Sequence, residues 1–119
     1  HMARAVLDGI ALQIADILRA MADDLGSPLT GLRVDGGACR NNLLMQFQSD
    51  ILEIPCIRPT MIETTALGAA LLGGLGAGIW ESQEHLRTIW QEDRVFVPNM
   101  DKTQVESLLA QWALAVSRV

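Results

Sequence analysis

Leu32-Arg33-Val34-Asp35-Gly36-Gly37-Ala38-Cys39-Arg40-Asn41-Asn42-Leu43-Leu44 is the stretch that decides how the chain folds. Leu32-Arg33-Val34-Asp35 predicts a short strand that runs directly into a glycine pair. Beyond the pair, Asn41 or Asn42 can cap a helix by accepting its first unpaired N–H groups. Leu43, Leu44, Phe47, Ile51 and Leu52 give that helix an apolar stripe. Lacking a Cβ, glycine reaches positive φ and lets a flat ligand lie against the backbone. The N-terminus of the following helix favours anionic groups in the same crevice. The stretch is not a dinucleotide fingerprint, because Gly36 and Gly37 are adjacent and no third glycine follows at the required offset. Nor is it a P-loop, because no Gly-Lys-Ser/Thr follows. Taken alone, it reads more simply as a tight turn with an asparagine cap.

Working outward, Ala3 to Asp24 carries Val6, Leu7, Ile10, Ala11, Ile14, Ile17, Leu18 and Met21 at helical spacing, with Gly26 placed as a C-cap. On the other side, Pro55 closes the asparagine-capped helix, and Ile54 to Arg58 predicts a second strand. Strand, helix, strand at this length implies a parallel pair joined by a right-handed crossover. Glu63-Thr64-Thr65 opens a third helix with Thr64 as its expected cap, and Ala66, Ala69, Ala70 and Gly73 offer small surfaces for close packing. Ser82 can cap a short helix, Arg94 to Pro98 reads as an edge strand or extended arm, and Asp101 or Thr103 caps a last amphipathic helix. The inventory is α/β with few strands for its helices, which implies a sheet completed elsewhere in a longer parent or by a second copy.

The chain has 119 residues, 50% hydrophobic and 19% charged, with formal net charge −5. That excludes a basic nucleic-acid-binding face as the dominant feature and argues against docking on an anionic membrane surface. Thr65 to Trp80 is too short and glycine-rich for a membrane span. Cys39 and Cys56 form no CxxC pair and no metal cluster, so two reduced thiols in a cytoplasmic protein are expected. His1-Met2 is similar to a cloning remnant, leaving residues 3–119 as the domain to be read.

Two blocks resemble the glycerol kinases of the FGGY carbohydrate kinase family. The first is Leu32 to Ala38, then Asn41-Asn42, then Leu44-Met45-Gln46-Phe47-Gln48-Ser49-Asp50-Ile51-Leu52, similar to their adenosine-motif region. The second is Glu63-Thr64-Thr65-Ala66-Leu67-Gly68-Ala69-Ala70 with Gly74-Leu75 and Gly78-Ile79-Trp80. The likeness weakens after Trp80. It implies the last part of the second kinase domain. The fold is then a partial actin-like, ribonuclease-H-like ATPase domain with helices on a small parallel sheet, incomplete relative to its parent. Gly37 and Asn41 are then expected to contact the adenosine part of ATP or ADP, and Gly36 and Ala38 to shape the same wall. The implied parent transfers the γ-phosphoryl of Mg2+-ATP to glycerol, with its aspartate base and glycerol pocket upstream. No catalytic or metal-binding residue is therefore expected here, and the chain alone should be inactive. Asp35 is expected to anchor the turn. Another FGGY sugar kinase, or a non-catalytic oligomerisation module, are the alternatives, and a homo-oligomer is expected. Arg58 reads as a solvated arginine near a strand end, Cys39 as a passive thiol, Glu63 as a helix cap, and His85 as exposed.

Overall fold

The structure, a computed structural model, describes residues 1–118. Its elements are α1 (Met2–Leu25), β1 (Leu32–Arg33), a 3-10 turn (Gly37–Arg40), α2 (Asn42–Leu52), β2 (Cys56–Pro59), α3 (Thr64–Gly76), α4 (Gln83–Arg87), β3 (Glu92–Phe96) and α5 (Lys102–Val116). The ends of the helices follow from local chemistry. Gly26 stops α1 at φ 64°, its N–H reaching the Asp23 carbonyl. Side-chain oxygens of Asn41, Ser82 and Asp101 accept from the first amides of α2, α4 and α5.

The sheet has the order β1-β2-β3. β1 and β2 are parallel, with Leu32 opposite Cys56 and Arg33 opposite Ile57, as the intervening helix requires. β3 joins β2 antiparallel, with Cys56 opposite Phe96, so the sheet is mixed rather than wholly parallel. It occupies Glu92–Phe96, two residues earlier than the expected Arg94–Pro98. The β2–β3 register slips between Arg58 and Pro59, where proline has no N–H to give the ladder.

The core is built where α1 and α2 cover this sheet. Ala11, Leu12 and Ala15 of α1 meet Leu44, Met45, Phe47 and Ile51 of α2, with Cys39, Cys56 and Phe96 beneath. The alanines let the two helices approach closely enough for buried Gln48 to donate from Nε2 to the Ala11 carbonyl at 3.2 Å. Ser49, also buried, lies 2.9 Å from both the Ile54 and Phe96 carbonyls, bonding α2 to the sheet.

α3 departs from this pattern. Gly74 is its buried residue, covered by the Trp80 indole, while Leu72 and Ile79 stay exposed. Ala66, Ala69, Ala70 and Gly73, the small residues that favour close packing, are exposed. The radius of gyration is 17.1 Å, against about 13–14 Å for a compact chain of this length. No helix among the described residues is long and apolar enough to cross a membrane.

Both cysteines are free and buried. Burial, helped by the nearby Asp50 charge, pushes the Cys56 thiol up from 9.0 to about 11. The unfolded chain releases that proton first. Stability is thus complete below pH 9.0 and falls as pH rises through about 11. The loss for Cys56 should be about 2–3 kcal/mol, in the same direction as that of Cys39, whose thiol burial also raises. Tyrosine is absent, so no phenol titrates in this pH range. Urea titrations across it should show a shallower decline for Cys56→Ala than for the unaltered chain; identical slopes would remove the thiol as the cause.

Candidate functional site

The glycine turn leaves β1 and enters α2 through a short 3-10 segment, so its geometry is set by what holds its two ends. At the first end Gly36 lies at φ 77°, ψ 175°, a conformation reserved for glycine. Its N–H donates to the Ile62 carbonyl at 2.8 Å. The adjacent Asp35 carboxylate accepts from the Thr64 hydroxyl. Asp35 is thus the anchor expected of it. Thr64 is not the α3 cap: its hydroxyl is committed to Asp35, and Glu63 takes the N-cap position without a side-chain hydrogen bond.

At the second end, the Asn41 side-chain oxygen accepts from the Leu43 and Leu44 amides at 3.0 and 3.2 Å. Asn41, not Asn42, is therefore the α2 cap. With Oδ1 so engaged, the remaining polar group of Asn41 is the Nδ2 amide, a donor on an exposed residue. Gly37 and Ala38 are exposed between these ends. Gly37 needs no positive φ, and a Cβ built on it meets nothing within 4 Å. Among the described residues no neighbouring atom requires a glycine there, and the side-chain direction at Gly37 is open.

Gly36, Gly37, Ala38 and Asn41 thus come together on one turn, Gly36 as its hinge and the other three on its outer surface. Cys39 points the opposite way and is 1% exposed, so it is a core thiol rather than one at a ligand edge. Its pKa is raised by burial against the opposing pull of Arg58.

Arg58 is not the solvated surface arginine its position suggested. Its side chain is 13% exposed and ion-pairs with Asp93 at 2.8 Å. Its Nη1 donates to the Cys39 carbonyl and to Asn42 Oδ1, both at 2.9 Å. A readable signal was present, since Arg58 shares strand parity with buried Cys56 and so faces the same side of the sheet. A cleft of about 310 Å³ lies beside the turn, lined by Arg40, Arg58, Pro59, Thr60, Ile62 and Asp93. Among the described residues no three His, Cys, Asp or Glu side chains converge as metal ligands.

A family model described as the FGGY family of carbohydrate kinases, C-terminal domain, matches residues 1–77. This chain belongs to the FGGY family of carbohydrate kinases. Among its FGGY relatives, a glycerol kinase of Myxococcus xanthus is 55% identical over 118 residues, covering 99% of this chain and 24% of that protein. The chain therefore spans about a quarter of the length of such relatives. A crystal structure of the Plasmodium falciparum glycerol kinase with ADP superposes with a TM-score of 0.82 at 38% identity, over 97% of this chain and 23% of that one. A xylulose kinase from Lactobacillus acidophilus superposes at 0.81 over 98% of this chain and 24% of that one; at 20% identity it shows the shared fold alone. That fold is the C-terminal part of the actin-like ATPase architecture, which these FGGY kinases share.

Proposed function

We propose that this chain supplies the adenine-nucleotide wall of a glycerol kinase, with Gly37 and Ala38 lying against the adenosine part of ATP or ADP. The observation that carries the reading is the open face at Gly37, where neither backbone conformation nor a packed neighbour demands glycine. Gly36 sets the direction of that face, and Asn41 offers its Nδ2 donor beside it. The relative of known structure holds ADP, and a glycerol kinase more than half identical supports glycerol as the acceptor.

The proposed whole-protein reaction is attack of a glycerol hydroxyl on the γ-phosphorus of ATP, with ADP leaving. It needs positioned phosphates, Mg2+ to neutralise charge, and a base for the hydroxyl proton. This chain's contribution is binding and orientation. Three of its carboxylates serve structural contacts. Asp50 accepts from the Asn99 amide, Asp93 pairs with Arg58, and Asp101 caps α5. The chain alone is therefore expected to bind nucleotide without phosphorylating glycerol.

An amide-resolved NMR titration with millimolar ADP tests the reading. Shifts that saturate and cluster at 36–42 are expected, with none of comparable size in α5. Amides at 36–42 that stay fixed while ADP reaches millimolar concentration would sink it.

A second reading, self-association, draws on the exposed apolar row Val6, Ile10, Ile17, Met21 and Leu25 along α1. A native mass near twice 13.0 kDa would support it.

A further inference from the structure

We propose that Arg58 is a positioning residue for the nucleotide wall, holding the glycine turn in its ligand-ready shape without touching the ligand. The inference rests on the nucleotide reading above. The turn is fixed at its start by Gly36 N–H to the Ile62 carbonyl and by Asp35 with Thr64. Past Gly37 and Ala38, the next fixed point on the turn's inner side is Arg58. Its Nη1 takes both the Cys39 carbonyl and Asn42 Oδ1, one in the 3-10 segment and one in the first turn of α2. Cys39 is 1% exposed, so its backbone lies where a carbonyl without a partner is costly.

The guanidinium is itself immobilised. Its Nε bonds the Asp93 carboxylate at 2.8 Å, and its plane lies over the Phe96 ring, 5.3 Å from the centroid. Arg58 thus links β2, β3, the turn and α2 through one rigid, planar group. Arginine suits this because its donors diverge in a fixed fork, whereas a lysine ammonium reaches one acceptor set at a time. With both ends of the turn held, the direction of the Gly37–Ala38 face is held as well. Removing Arg58 takes away the second end's tie to the sheet while its Asn41 cap and the first anchor stay, so the face tilts without the core unfolding.

The test compares the unaltered chain with Arg58→Met, Arg58→Lys and Val105→Ala. Val105 is 1% exposed in α5 and belongs to neither the turn nor its anchors, so its variant serves as a stability control. ADP affinity is read by amide shifts at a temperature where every variant is folded, together with hydrogen exchange of the 39–44 amides. Arg58→Met should weaken ADP about tenfold, the scale of one lost charge-assisted hydrogen bond, and should accelerate exchange at 39–44. Arg58→Lys should recover part of both. Val105→Ala should melt earlier yet bind ADP and exchange at 39–44 as the unaltered chain does. Equal ADP affinity in Arg58→Met and Val105→Ala would overturn the assignment to Arg58 and leave the nucleotide reading standing. An unaltered chain that ignores ADP would overturn both, while the exchange comparison still shows whether the clamp holds the turn.

Discussion

Phe96→Ala should cost about 3–5 kcal/mol of folding stability, read as a lowered urea midpoint with the slope unchanged. The ring is 1% exposed and sits at the centre of three sets of contacts. Phe96 pairs with Cys56 across the antiparallel ladder, and it belongs to the cluster of α1 and α2 side chains above the sheet. The Arg58 and Arg94 guanidinia lie over its ring at 5.3 and 4.7 Å. Alanine removes the filling of the cavity and the platform under both cations at once. A small domain holds about 5–15 kcal/mol in total, so the variant should be close to half unfolded in conditions the unaltered chain tolerates. A loss below about 1 kcal/mol would mean that the site collapses around the missing ring. It would also deny Phe96 a part in orienting Arg58.

The features of this fold that were legible in the sequence are those that neighbouring residues decide. The stop at Gly26 and the cap at Ser82 are contacts within a few residues and lie where the residue types place them, and of the two candidates for the last helix, Asp101 and Thr103, the structure takes Asp101. The parallel β1–β2 pair was legible because a helix of α2's length leaves little alternative. Thr64 shows the limit. As a helix opener it is a good cap by type, but a carboxylate from Asp35, remote in sequence, competes for its hydroxyl and wins. β3 shows another. Its residues are polar or exposed except Phe96, so alternation gives no phase, and its place is set by pairing with β2.

The glycine turn divides along the same line. That Gly36 to Asn41 forms a turn into a helix followed from the residues. Which asparagine caps did not, because both positions are chemically able. The structure separates them by giving Asn42 Oδ1 to Arg58. The burial of Cys39 followed from nothing local either. It depends on the core that α1, α2 and the sheet build together, which Cys39 joins and which sequence spacing does not bring together.

Gly36→Val and Gly37→Val should behave oppositely in one respect, although both are expected to abolish ADP-induced shifts. Gly36 sits at φ 77°, ψ 175°, where a β-branched residue is strained even though its Cβ would meet no atom within 4 Å. That strain should cost about 1–3 kcal/mol. It also threatens the 2.8 Å bond from the Gly36 amide to Ile62, so the thermal midpoint should fall and the turn should reshape. Gly37 carries no such demand. Its φ is not positive and its Cβ direction is open, so Gly37→Val should keep its stability within about 0.5 kcal/mol, as an unstrained surface substitution does. The added isopropyl group then stands where the base would lie flat. Loss of ADP binding with an intact melting curve is thus a signature that only a ligand against Gly37 produces. If Gly37→Val bound ADP as tightly as the unaltered chain, the open face would be ordinary solvent-exposed turn, and the adenine wall would have to be sought on other residues. If Gly37→Val instead melted like Gly36→Val, the glycine would be serving the fold. The open space beside it would then no longer point to a ligand.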